Sequence, residues 1–138
     1  MAEKASTPDR GLLDTSIVID LKRLSRAELP DELAISAVTL AELAAGPQAS
    51  QDPDVRARRQ EILQRVEAVF DVLPLDVGAA RAYARVVGAE FAAGRKARGA
   101  RSPDLLIAAT ALSQQLPLYT RNPSDFVGLG SLISVRAV

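Results

Sequence analysis

The chain has 138 residues, 48% of them hydrophobic, and its 17 Lys plus Arg are matched by 17 Asp plus Glu. That is enough apolar material to close one core, and it lacks the strongly basic balance typical of a nucleic-acid binder. With no Cys and no His, a thiol nucleophile, an imidazole acid–base pair and the usual zinc site are excluded, which leaves chemistry to carboxylates, hydroxyls, Lys, Arg or a hard metal ion.

The polar lead MAEKASTPDR (1–10) has no apolar centre of the kind a signal peptide needs. No run reaches the length of a membrane span, so a soluble, cytoplasmic protein with no membrane partner is expected. Residues 1–10 are read as a flexible tail and 11–138 as a single domain. GLLD (11–14) reads as a short buried strand, and TSIVIDLKRL after it has helical spacing through Ile17, Leu21 and Leu24. LAIS (33–36) is a second strand, followed by the helix VTLAELAAG, which Gly46-Pro47 is expected to end. PDVRARRQEILQRVEAVF predicts an amphipathic helix with Val55, Ile62, Val66, Val69 and Phe70 inward, and Glu61 and Arg65 as an outward i,i+4 pair.

DVLPL (71–75) is a third strand, and Asp76 is placed to cap a helix from Val77 to about Ala93. FAAGRKARGARS is a glycine-punctuated basic loop. A helix from Pro103 leads to PLYT, the fourth strand, and LISV supplies the fifth. Strands alternating with helices predict an α/β fold whose mostly parallel sheet of four to five strands is covered by helices on both faces.

The stretches 11–19, 33–51, 102–120 and 122–135 each contain one charged residue, and all four are acids: Asp14, Glu42, Asp104 and Asp125. Asp14 ends a strand, Asp104 opens a helix, Asp125 follows a strand, and Glu42 lies in the helix after strand two. In an open parallel sheet, strand C-termini and helix N-termini share one edge, where ligand crevices form. The four can therefore converge. Two carboxylates ~4 Å apart repel by roughly 4 kcal/mol at an effective dielectric of about 20, so such a cluster should bind cations or shift its pKa values, and an oxygen-only pocket selects Mg²⁺ or Mn²⁺. Local structural roles compete with this reading. Ser102-Pro103-Asp104 is a well-made helix start, Thr39 and Glu42 have capping-box spacing, Asp14 is placed to cap the helix from Thr15, and Asp125 to close a turn after Asn122-Pro123.

The segments LLDTSIVIDL, AVTLAELAAG, RSPDLLIAATAL and LYTRNPSDF, in this order and at these gaps, resemble the PIN-domain ribonucleases, in particular the VapC-like toxins of bacterial type II toxin–antitoxin pairs. The resemblance implies a three-layer α/β/α sandwich and an endoribonuclease working with a divalent metal. Carried over by position, Asp14 and Asp104 are the principal Mg²⁺ ligands, with Glu42 the third acid and Asp125 the fourth, more variable one. Ser16, Thr120 and Asn122 take supporting polar positions. The ten-residue lead departs from many relatives, which begin almost at the first strand. The resemblance also implies a small antitoxin that lays a helix into an apolar groove, for which helices 37–45 and 53–69 are candidates, and homodimers in many members.

On this reading the reaction is metal-assisted hydrolysis of an RNA phosphodiester, with Mn²⁺ able to replace Mg²⁺. The loop 94–102 carries Arg95, Lys96, Arg98 and Arg101 and no acid, a counterweight by which RNA phosphates can approach an acidic hollow. With few aromatic residues available, recognition should lean on RNA shape and backbone. Two other functions fit less well. A Mg²⁺-binding phosphoacceptor signalling domain would use Asp76 after strand three but needs a late lysine, and no lysine follows Lys96. A catalytically inactive relative that only binds RNA or antitoxin would have no need of all four acids.

Overall fold

The structure, a computed structural model, describes residues 9–95 and 101–138. Five strands form one sheet: β1 (Arg10–Leu13), β2 (Glu32–Ser36), β3 (Asp71–Leu73), β4 (Leu118–Thr120) and β5 (Val135–Ala137), in the order β3-β2-β1-β4-β5. Every neighbouring pair is parallel. Parallel neighbours need crossover connections, and the helices supply them: α1 (Thr15–Ile19), α2 (Ala37–Ala45), α3 (Pro53–Val69), α4 (Val77–Ala92) and α5 (Ser102–Gln114).

Successive residues on a strand point to opposite faces, and here both faces are covered. Leu12, Ala34 and Leu118 enter one core with Val86 of α4 and Leu105 and Ala108 of α5. Their neighbours Leu13, Ile35 and Tyr119 enter the other with Ile17 of α1, Leu43 of α2 and Leu63 of α3. The result is the three-layer sandwich with a central parallel sheet. Leu12, Leu13 and Ile35 are fully buried, each such side chain contributing about 2 kcal/mol over its exposed state. Helix α5 lies inside the fold, with Leu105 and the run Ile107–Ala111 buried, which accounts for its almost uninterrupted apolar sequence.

Several local expectations are corrected. Arg10, assigned to the tail, is the first residue of β1, where it pairs with Glu32 across the ladder and its guanidinium lies 3.0 Å from Asp71; residues 1–8 lie outside the described residues. Gly46 caps α2, which ends at Ala45 as expected, but it does so in a right-handed conformation, φ −52° and ψ −50°, from which the chain runs on into a separate tight helical turn, Gly46–Ala49. On α3 it is Leu63 that is buried with Val66, while Val69 stands exposed one step off the row leading to Phe70. The fifth strand begins at Val135 rather than Leu132, because Leu132 and Ile133 hydrogen-bond back to Leu129 and close the preceding turn into the core.

Candidate functional site

The central strand β1 has β2 on one side and β4 on the other, and the chain leaves it first toward β3 and later toward β5. The strand order therefore reverses at β1, and the crevice beyond the strand C-termini is the expected ligand position. Asp14 immediately follows β1, Thr120 ends β4, and Glu42 stands on α2, which starts where β2 stops. Because α5 runs back into β4, its first turn carries Asp104 to this same edge, and the segment after β4 carries Asp125.

Asp14 is buried, and its carboxylate is held by neutral donors. The Ser16 hydroxyl and the Ile17 amide donate to Oδ1, and the Thr120 hydroxyl donates to Oδ2. Ser16 in turn accepts from the Arg121 amide, and Thr120 from the Asn122 amide. Asp14 thus caps α1, as expected, from a position at the crevice edge. Asn122 takes part through its backbone, donating to Thr120 and accepting from the Asp125 amide at 3.0 Å. Glu42 is not a capping residue: Ser36 caps α2 by accepting from the Thr39 amide. Glu42 Oε1 instead accepts from the Thr15 hydroxyl at 2.8 Å, and Thr15 is braced on Thr39. Thr15 is a site residue the sequence did not separate from its neighbour Ser16.

Asp104 lies in the first turn of α5, where the cap position belongs to Arg101 and no side chain caps the helix. Burial pushes its carboxyl up, and the negative charges of Asp125, Asp14 and Glu42 push it further, against a lowering by Arg101, so that it titrates at about 6 rather than 3.8. Asp14, Glu42 and Asp125 thus each lie within electrostatic range of Asp104 at one sheet edge. Among the described residues no three acids are drawn together closely enough to enclose an ion unaided. The donors are nonetheless all hard oxygens, gathered where like charges repel, and this chemistry fits a divalent cation such as Mg²⁺.

Of the basic loop, Lys96 and Arg98 lie outside the described residues. Arg95 and Arg101 turn onto a residue the sequence reading missed, Glu90 of α4, which is fully buried. Arg101 Nη2 lies 2.6 Å and Arg95 Nε 3.5 Å from Glu90 Oε2. Part of the expected positive counterweight is therefore cancelled inside the protein. Asp76, the residue a phosphoacceptor would need, sits beside the edge strand β3, and its Oδ1 is occupied in capping α4 through the Ala79 amide at 2.9 Å.

Comparison with known proteins gives a consistent picture. The PIN domain family matches residues 11–127. Ribonuclease VapC5 of Mycobacterium tuberculosis is 39% identical over 137 residues, covering 97% of this chain and 98% of that protein. Ribonuclease VapC of Rickettsia bellii is 31% identical over 119 residues, covering 83% and 87%. Among solved structures, the VapBC-5 toxin–antitoxin system of M. tuberculosis superposes with a TM-score of 0.80 at 40% identity, covering 95% of this chain and 98% of that one. VapBC-1 from nontypeable Haemophilus influenzae superposes at 0.72 and 26% identity, covering 93% and 97%.

Proposed function

Because the chain belongs to the PIN domain family, we propose that it is a divalent-metal-dependent endoribonuclease, the toxin of a toxin–antitoxin pair. The observation that carries the reading is the convergence of Asp14, Glu42 and Asp125 on Asp104 at the strand-order reversal, where burial first and then their negative charges raise Asp104 to about 6. Ribonuclease names among relatives that span nearly the whole chain support it.

Asp14 and Asp104 would be the principal ligands of Mg²⁺ or Mn²⁺, with Glu42 and Asp125 completing the set or acting through water. When bound, the ion supplies hydroxide from a coordinated water and offsets charge developing on the phosphodiester. The chain's own contribution is placement. Ser16, Thr120 and the Ile17 amide fix both oxygens of Asp14, so it does not swing to meet each substrate. Since these donors carry no formal charge, the negative charge of Asp14 stays available to the crevice. Thr15, the first residue of α1, holds Glu42 by donating to its Oε1, and a carboxylate so held can accept a proton from the attacking water. Lys96 and Arg98, with whatever face of Arg95 and Arg101 remains open, would receive the RNA backbone.

An antitoxin is the proposed protein partner. A cleft of about 610 Å³ opens beside Glu42 between α2 and α3, with Ile19, Leu43, Val55 and Ile62 on its walls and Arg58 and Arg59 along it. A smaller hollow continues it past Phe70, sharing Ile19, Arg58 and Ile62. An amphipathic helix with an acidic flank would fit this surface.

The purified chain, freed of antitoxin, is expected to cleave RNA with Mg²⁺ or Mn²⁺ and to stop on addition of chelator, while Asp104→Asn folds but is inactive. Chelator-resistant cleavage, or an Asp104→Asn protein with parental metal-dependent activity, would overturn the reading.

A further inference from the structure

Glu90 occupies the third position of the row Ala82, Val86, Glu90, which faces the core from α4 at helical spacing. A fully buried carboxylate at an apolar position is costly unless it is paired. Its partners come from the two ends of the basic loop, Arg95 and Arg101. Each of these guanidiniums also reaches the segment after β4: Arg95 Nη1 donates to the Ser124 carbonyl at 3.1 Å and Arg101 Nη2 to the Asp125 carbonyl at 3.0 Å. Gly128 closes the same contact, since a Cβ there would lie 3.1 Å from Glu90 Oε1 and 3.2 Å from the Ala93 Cβ. The near end of the segment is tied independently, through the Asn122 amide to Thr120 and from Thr120 to Asp14.

We propose that Glu90 is a positioning residue for the fourth acid: by holding Arg95 and Arg101 it clamps the backbone of Ser124 and Asp125 and so fixes the Asp125 carboxylate relative to Asp14 and Asp104. The geometry argues for placement rather than substrate contact, because Glu90 itself is fully buried and acts on the site only through the two arginines. Buried ion pairs commonly contribute little net stability compared with apolar packing. Here the pair joins α4, the start of α5 and the Asp125 segment, three pieces that no strand ladder connects. The inference rests on the nuclease reading for the role of Asp125, although the clamp itself can be tested without it.

The test compares the parent chain with Glu90→Gln, which keeps the shape and removes the charge. Arg101→Lys, which keeps the charge but loses the planar fork, is the second variant should the first fail to fold. Amide hydrogen exchange in residues 124–129 is expected to accelerate about tenfold or more in either variant, with the amides of β1 and of the α5 interior unchanged. With RNA and Mg²⁺, kcat of Glu90→Gln should fall about tenfold to a hundredfold while its KM for RNA stays at the parental value, as misplacement of one ligand group predicts. Parental exchange in 124–129 would overturn the clamp whether or not the protein is a nuclease. Cleavage by the parent that is abolished in Asp104→Asn but proceeds at the parental kcat in Glu90→Gln would overturn the positioning role alone. A parent that never cleaves RNA would defeat the nuclease reading and leave the exchange result to decide the clamp.

Discussion

The two buried carboxylates among the described residues, Asp14 and Glu90, are held in opposite ways. Asp14 is surrounded by hydroxyl and amide donors, whereas Glu90 is gripped by two guanidiniums. Neutral donors orient a carboxylate while leaving its charge uncancelled; cations orient it and cancel the charge. The first arrangement suits an acid that must attract a metal ion at the sheet edge, and the second suits an acid that joins secondary-structure elements. Two buried acids in one small domain therefore have different destinies, decided by the charge of their partners rather than by burial.

That contrast is broken most severely by neutralising the acids on the crevice side. Asp14→Asn and Asp104→Asn should each reduce metal-dependent RNA cleavage at least about a hundredfold, measured on a fluorogenic RNA at saturating Mg²⁺, without loss of folded structure by circular dichroism. On the other side, Arg101→Met leaves Glu90 with Arg95 alone, 3.5 Å away. An undercompensated buried charge costs about 3 kcal/mol, and urea denaturation should show a loss of that order. A much smaller loss would mean that Glu90 does not depend on Arg101. Thr120→Val sharpens the comparison from within the site. It removes one neutral donor from Asp14 and the acceptor of the Asn122 amide, and the expected loss of activity is about tenfold to a hundredfold, the usual effect of removing a group that orients a ligand.

The acids of the crevice were legible because each is the sole charge in an apolar segment and each falls at a strand end or helix start, where topology dictates a common edge. Glu90 carried the same signal: residues 86–94, VVGAEFAAG, contain no other charge. It escaped because it lies in the last turn of α4, where an acid is ordinarily turned to solvent, and because hydropathy alone would put Phe91 inside. The structure reverses the pair, with Phe91 83% exposed and Glu90 fully buried, since the facing row Ala82, Val86, Glu90 fixes the rotation of α4. Thr15 and Ser16 show a different limit. Adjacent hydroxyls on one helical turn diverge, one to Glu42 and one to Asp14, and spacing cannot say which goes where. The late start of β5 was hidden for a third reason: LIS is as apolar as a strand, but its apolar residues close a helical turn into the core. Layer order and sheet composition, which depend only on the alternation of elements, were readable throughout.

The smallest expected effect is the one with the clearest sign. In the folded chain without divalent ions Asp104 titrates at about 6, against 3.8 for an unperturbed aspartate. Its raised value means that the folded state holds the proton more tightly than the unfolded chain does. Stability from this group is therefore fully present below 3.8, declines as the pH rises toward 6, and is lost above it. Asp104→Asn has no such proton to lose. In chelator, the variant should melt a few degrees above the parent at pH 7, and the difference should shrink as the pH falls from about 6 toward 3.8. Addition of Mg²⁺ at pH 7 should reverse the order, because only the parent offers the ion a complete set of carboxylates, and binding to the folded state alone stabilises it. If Asp104 served only to complement the α5 helix dipole, removing its charge would lower the melting temperature at pH 7. The sign of that one difference, measured in chelator, therefore separates an acid kept for the crevice from an acid kept for its helix.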